Sequence, residues 1–277
     1  MDEIRELFKL ALEKSELKCS HKNRTLDETY YFDAYLDFIN NSVNYSRYKT
    51  TIKGHEIKGK YLNEKVNKWN NYGIFDIMYQ IMLTKYTDVN KSKLYHIDGK
   101  IIVNKFCNEK DNLGRNIKYK SKNSINLQAV VDNSGIPIGI DVLKGSDSEV
   151  SNMVEVLKRI ELQDFTHLQN SNKHKKYLSC DAGYDSEINR SFLLSKGYTP
   201  LIWFNKRNTK NKKKIKKKKI VGHKKEKYKK RHIVENYFSW IDNKIPRLVR
   251  IYDKKITNYL NMVKIAAIDL IIGRMCV

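Results

Sequence analysis

Apolar residues in this chain recur at helical spacing up to about residue 90, alternate through the middle, and return to helical spacing near the end. Within residues 2–15, Ile4, Leu7, Phe8, Leu10 and Leu12 predict a short helix. Residues 27–41 predict a second, with Tyr31, Tyr35, Leu36 and Ile39 inward. Over 48–75, Ile57, Leu62, Val66 and Trp69 keep the helical period, and Lys58, Lys60, Lys65 and Lys68 mark an outer, basic side. Gly73 separates this stretch from a further helix at Ile74–Met82. Short helices with one basic face suit a helix-turn-helix, whose second helix enters a major groove. A plain helical subdomain with solvated lysines has the same pattern.

After Lys91 the period becomes two. Tyr95, Ile97, Ile101 and Val103 predict a first strand, Ile125 to Val131 a second, and Ile138, Ile140 and Val142 a third. The turn Asp132-Asn-Ser-Gly135 joins the last two, so the three strands read as an antiparallel meander. Ser146 and Glu149 have capping-box spacing ahead of a helix with Val150, Met153, Val154 and Leu157 inward. Residues 176–181 predict a fourth strand, parallel to its neighbour because a helix precedes it. Asp185 or Ser186 caps a helix ending at Gly197, and 199–204 form a fifth strand. Tyr228–Lys244 predicts one helix, with Tyr228, Arg231, Glu235, Ser239 and Asp242 on a polar stripe and Ile233, Val234, Tyr237, Phe238, Trp240, Ile241 and Ile245 on the core arc. A last helix after 253 carries Leu260, Val263, Ala267 and Leu270 and is expected behind the sheet. The expected fold class is therefore α/β, a mixed sheet flanked by helices in the element order of an RNase H-like domain. The expected division is 1–90, all-α and helix-turn-helix-like, and 91–277, the sheet domain with a basic loop at 205–228.

Charge narrows the partners. The net charge is +23, from 54 Lys+Arg against 31 Asp+Glu. Residues 206–231 alone hold sixteen Lys/Arg and one acid, Glu226. Such a balance points to a polyanion, most simply nucleic acid. Within that run Lys212 and Lys216 are candidate phosphate contacts, as are Lys58, Lys65 and Lys68 on the early basic face and Lys120 and Lys122 beside the second strand. An anionic membrane surface is disfavoured, since no basic helix has a strong apolar face and no run approaches the length of a span. Cys19, Cys107, Cys180 and Cys276 are scattered without metal or disulfide spacing, as expected in a reducing compartment.

Three acids carry the candidate chemistry. Asp98 sits inside or at the end of one short apolar run, Asp181 ends another, and Glu235 sits on the late helix one turn after Arg231. Carboxylates delivered by two strand ends and a helix suit Mg²⁺ or Mn²⁺, and two ions about 4 Å apart can activate a water and stabilise a leaving oxygen. Read locally, Arg231 and Glu235 are only an i,i+4 surface pair. Asp132 rivals Asp98, but its turn explains it; Asp185 reads as a cap, Glu149 as half of its capping box, and His96 and His232 as structural.

The text around those acids resembles the DDE transposases of bacterial insertion sequences, in the IS-four/IS-five-like superfamily. The similarity runs from about Leu26 to the end and is carried by YHIDGK at 95–100, CDAGYDS at 180–186, KKRHIVENYFSWI at 229–241 and AVVDNSGIP at 129–137. It implies a catalytic triad of Asp98, Asp181 and Glu235 holding two Mg²⁺ or Mn²⁺ ions. It also implies cleavage of DNA at the ends of a mobile element, transfer of the freed 3′ end to target DNA, and a homodimer on that DNA. The superfamily signature places Tyr, Arg, Glu and Lys in order. Tyr228, Arg231 and Glu235 match, and the first two are implied to hold the DNA end. Asp242 stands at the lysine position, with Lys244 two residues on. The alternatives are a decayed or domesticated DNA-binding protein and an RNase H-like nuclease. The expected location is the cytoplasm or nucleoid for a bacterial source, and the host cytoplasm or nucleus for a viral or eukaryotic one.

Overall fold

The structure, a computed structural model, describes residues 2–17, 27–41, 43–161, 176–205 and 220–275. In chain order its elements are α1 (Asp2–Lys14), α2 (Glu28–Asn40), β1 (Lys49–Ile52), β2 (His55–Lys58), α3 (Gly59–Asn71), α4 (Ile74–Val89) and β3 (Leu94–Val103). Then follow β4 (Gly114–Asn116), β5 (Lys122–Asp132), β6 (Pro137–Lys144), α5 (Glu149–Glu161), β7 (Lys176–Cys180), α6 (Glu187–Ser195) and β8 (Tyr198–Ile202). Helices α7 (His223–Lys229), α8 (His232–Lys244) and α9 (Ile256–Met275) complete the chain. Residue contacts divide it into two compact units. One is helical: Met1–Tyr86, Val103–Lys110 and Ile241–Val277. The other carries the main sheet: Thr87–Ile102 and Asp111–Trp240. Lys212 and Lys216 lie outside the described residues, as do Cys19 and Cys276.

In the helical unit aromatic rings make the core. Phe8 of α1 stacks on Phe32 of α2 with centroids 4.0 Å apart, and Trp69 of α3 meets Phe8 edge-on at 5.0 Å. Around them pack the buried Tyr35, Phe38, Leu62, Val66 and Phe75. Two expectations fail here. Residues 49–58 form a hairpin instead of joining the helix, with Thr50 opposite Ile57. Its turn is Lys53-Gly54, both at positive φ, 49° and 77°, which matches the twist of paired strands. Lys65, expected on the exposed basic face, is 5% exposed. Its ammonium pairs with Glu28 at 2.7 Å, whose other oxygen accepts from the Trp69 indole at 3.1 Å.

Helix α9, expected behind the sheet, belongs to the helical unit. It is long and apolar enough to cross a membrane by composition. However, Asn258, Asn261 and Lys264 are buried along it. Asn258 accepts from Asn70 at 2.7 Å, Asn261 donates to Asn70, and Lys264 pairs with Asp76. Those polar anchors belong to a core helix, whose apolar surface is spent on its own unit.

The main sheet runs in the order β6-β5-β3-β7-β8, with the short β4 also on β5. By order of appearance the five long strands lie 3-2-1-4-5, the RNase H-like arrangement, and α5 and α6 connect β6, β7 and β8. β5 and β6 are antiparallel, with Ala129 opposite Ile140. β7 is parallel to both β3 and β8, as the intervening helices require. The first two strands are joined by a long connection containing β4, where a meander would have a short turn. Helix α5 starts at Glu149, so Ser146 and Glu149 do not form a capping box. Ser186, whose hydroxyl accepts from the Asn189 amide at 3.1 Å, caps α6. Asp185 is not the cap: it is buried and holds Arg190 Nε at 2.9 Å.

Candidate active site

The parallel register of β3 and β7 sets two aspartates side by side. His96 is paired with Ser179. Two residues further along, on the same face, come Asp98, which lies inside β3 rather than at its end, and Asp181, the first residue past β7. Leu94 to Ile97 and Tyr177 to Cys180 are buried, so both strands are anchored up to the acids. Asp181 Oδ1 accepts from the Ala182 amide at 2.5 Å, which fixes the chain where it leaves β7.

The third element approaches as a broken helix. Tyr228–Lys244 is two helices, α7 and α8, separated by a turn at Lys230-Arg231. Through the break the amides reach back three residues, Arg231 to Tyr228 at 3.0 Å and Val234 to Arg231 at 3.2 Å. Such tight turns within a helical run mark a place where side chains are re-aimed. Of the expected core arc, Val234, Tyr237, Phe238, Ile241 and Ile245 are buried, whereas Ile233 and Trp240 are only half-buried. Arg231 Nη1 donates to Asp98 Oδ2 at 2.8 Å, and its Nη2 donates to Glu235 Oε1 at 2.7 Å. One guanidinium thus bridges an acid from the sheet and an acid from the helix.

Charge is unbalanced there. Burial pushes the Asp98 carboxyl up to about 6, and neighbouring Glu149 and Asp181 push the same way, against the Gly99 amide and Arg231. For Arg231 burial favours the neutral form, yet Asp98, Asp181 and Glu235 together raise its pKa. Asp181 contacts no cation among the described residues. Three carboxylates therefore share a single guanidinium. The side chains of Asp98, Arg231 and Glu235 are 19, 23 and 53% exposed, so the group opens to solvent on the helix side.

Beneath the acids runs a chain of hydrogen bonds that sequence reasoning missed. The Tyr184 hydroxyl donates to Gln128 Oε1 at 3.0 Å, Gln128 Nε2 to Asn126 Oδ1 at 2.9 Å, and Asn126 Nδ2 to Glu149 Oε1 at 2.6 Å. The chain joins the turn after Asp181 to β5 and the start of α5. It also presses on the residue after Asp98, since a Cβ at Gly99 would collide with Gln128, Asn126 and Glu149. Glu149 is thus a partner of Asn126 and not half of a cap. Period-two alternation puts Asn126 and Gln128 on one face, but nothing local announces their partners. On the opposite face of the sheet, the one that carries Asp98, His96 is fully buried with both ring nitrogens unpartnered, and Ser179 Oγ is likewise unpartnered among the described residues. Burial lowers the His96 pKa to about 4, so the ring is neutral at pH 7.

The remaining candidates are dispersed. Tyr228 is half-buried against Leu94, Tyr177, Leu201 and Ile220, its ring 5.8 Å from Trp203. Lys120 and Lys122 are exposed at the start of β5. Lys244 pairs with Asp269 at 2.7 Å. Lys58 and Lys68 belong to the helical unit, the first exposed and the second half-buried. Asp132 is buried and its Oδ1 accepts from Ser134 and Ile136 at 2.8 and 3.0 Å, which explains it as a turn residue. Cys180 is buried, and burial raises its pKa, so it is an inert thiol. His232 is exposed, its Nδ1 3.0 Å from the Lys229 carbonyl.

As for a metal ion, no three His, Cys, Asp or Glu side chains converge at ligand spacing among the described residues. The donor chemistry nevertheless fits a hard divalent cation: the set is all carboxylate, and a guanidinium already stands in for the positive charge.

No curated protein sequence matches the chain. Among solved structures, the catalytic domain of Mos1 mariner transposase is 12% identical over 60% of this chain and 89% of that chain, with a TM-score of 0.30. The Mos1 transposase paired-end complex with left transposon end is 13% identical over 84% and 76%, with a TM-score of 0.28. Likeness at that level carries no weight beside a direct match of sequence. Residues 91–268, nearly two thirds of the chain and including all three acids, match the family described as Transposase DDE domain. The strands that lead to the two aspartates and the glutamate helix are therefore parts of a transposase, and the chain belongs to that family.

Proposed function

We propose that Asp98, Asp181 and Glu235 are the catalytic carboxylates of this transposase and hold Mg²⁺ or Mn²⁺, two ions in the working state. The observation that carries the reading is the Arg231 bridge: one guanidinium contacts Asp98 and Glu235, and Asp181 beside them has no cation of its own among the described residues. When bound, the ions supply an activated water and charge stabilisation at the departing 3′ oxygen. The protein's part is placement. Asp98 is held by the Gly99 amide at 2.9 Å and stays fixed. Glu235, half-exposed on α8, is the adjustable arm. Once divalent charge satisfies the acids, Arg231 is free to meet a phosphate of the DNA end, with Tyr228 beside it. Lys120, Lys122 and Lys244, together with Lys212 and Lys216 in the basic run, add phosphate contacts. The helical region before residue 90, with Lys58 and Lys68, recognises the element ends. The working assembly is a homodimer on double-stranded DNA.

The test is cleavage of a labelled element end in Mn²⁺ beside a gel-shift control. Asp98→Asn, Asp181→Asn and Glu235→Gln each lose strand cleavage while end binding persists, whereas Asp132→Asn cuts nearly normally. Robust cutting by Glu235→Gln contradicts the triad. Joining of the cut 3′ end to a second duplex separates a transposase from a nuclease sharing the fold.

A further inference from the structure

A cleft of about 430 Å³ lies in the sheet unit, away from the acids. Its walls are the segment before β3, with Lys91, Ser92 and Lys93, the β5–β6 turn at Asn133, and Lys227 and Lys230 from α7 and the turn after it. We propose that this cleft binds the phosphodiester backbone of the DNA, several nucleotides from the bond that is cut. The inference rests on the reading of Asp98, Asp181 and Glu235 as the cutting site.

Four lysines line the cleft, and none pairs with a carboxylate among the described residues. The acids nearby are engaged elsewhere. Asp132 is buried and accepts from the amides of its own turn. Glu226 on α7 pairs with Lys229 at 2.9 Å. Two of the lysines are held by neutral groups. Lys227 Nζ sits 4.9 Å above the Tyr177 ring, and Lys230 Nζ lies 3.4 Å from Asn133 Oδ1. An aromatic face and an amide oxygen orient an ammonium without cancelling its charge. Lys91 and Lys93 are exposed on the facing wall. Oriented, uncompensated cations in an open polar cleft suit an extended anion.

Position supplies the second argument. Lys227 and Lys230 flank Tyr228 and Arg231 in the sequence, so one short segment serves both the cleft and the acid group. On the other wall, β3 runs from Leu94 at the cleft to Asp98. Four strand residues span about 13 Å. One DNA strand rises about 3.4 Å per nucleotide, so a backbone lying on both places reaches the cleft about four nucleotides from the cut.

The experiment is a scan of element-end duplexes, each carrying one neutral methylphosphonate, bound by wild type and by the Lys91→Gln/Lys93→Gln/Lys227→Gln/Lys230→Gln protein. Circular dichroism confirms that the variant is folded. Wild type is expected to bind several-fold more weakly when the neutral linkage lies about three to five nucleotides from the cut on one strand. The variant is expected to ignore those linkages while remaining sensitive to others, and its slope of log affinity against log salt falls by about three to four. An unchanged scan with an unchanged slope overturns the cleft. Failure of the triad reads differently: cutting survives in the acid variants, while the loss of salt slope in the lysine variant stands by itself.

Discussion

Two ion pairs in this protein look alike on paper and differ in every physical respect. In the helical unit, Lys65 meets Glu28 with side chains 6 and 2% exposed. Glu28 spends its second oxygen on Trp69, and the Lys65 ammonium lies 4.4 Å over the Tyr31 ring. Every group is satisfied, the charges are matched one to one, and water is excluded. In the sheet unit Arg231 meets Asp98 and Glu235, with Asp181 and Glu149 close enough to raise the local negative charge. Acids outnumber the base, and the helix side is open. A closed, balanced pair holds a fold together; an open, unbalanced one leaves negative charge uncompensated. Only the second lies within the stretch that matches the transposase family.

The strongest way to break that contrast is to unbalance the closed pair. Glu28→Ala leaves Lys65 buried without its counter-ion and Trp69 without its acceptor. It should cost about 3 to 5 kcal/mol of stability in urea unfolding. Loss of less than about 1 kcal/mol would mean that water reaches this pair after all.

A smaller effect is expected beneath the open site. Gly99→Ala drives a methyl group into Gln128, Asn126 and Glu149, and overpacking of this kind costs about 1 to 3 kcal/mol. The residue after Asp98 has to move, so cleavage should fall by more than the loss of folded protein explains. Full specific activity in the folded Gly99→Ala fraction would show that the hydrogen-bond chain does not position the aspartates.

Smaller still is the pH effect of the charge imbalance. Asp98 has its pKa raised from 3.8 to about 6, so the folded state holds this proton more tightly than the unfolded chain. Its stabilising contribution is full below about pH 4 and is lost as pH rises through about 6. In metal-free buffer, wild type should lose on the order of 1 to 2 kcal/mol relative to Asp98→Asn between those limits, less than the full shift because the carboxyl is partly solvated. Parallel unfolding curves for the two proteins from pH 4 to 7 would remove the imbalance from the account.

The two regions were also unequally legible in the sequence. The sheet could be read because β3, β5 and β6 alternate and β7 is a short apolar run ending at an aspartate. The core arc of α8 could be read because its apolar residues keep one face. The hairpin at 49–58 was hidden because Ile57 comes just ahead of the helical apolar run Leu62, Val66 and Trp69, and Lys53-Gly54 lacks the usual asparagine of such turns. The burial of Lys65 had no local sign, since its partner Glu28 lies 37 residues away. Glu149 was misread for the reverse reason: a capping pattern explained it locally, while its real partner, Asn126, comes from another strand. The break at Lys230-Arg231 has neither Gly nor Pro to announce it, yet it aims Arg231 at Asp98.

Calorimetric titration of Mn²⁺ into the metal-free protein at pH 7.5 tests the open site most directly. The wild type should bind saturably, Asp181→Asn should bind at least about tenfold more weakly, and Arg231→Gln should bind no more weakly than wild type, because the guanidinium holds the place that the metal takes. Equal binding by wild type and Asp181→Asn, or loss of binding in Arg231→Gln alone, would contradict the account.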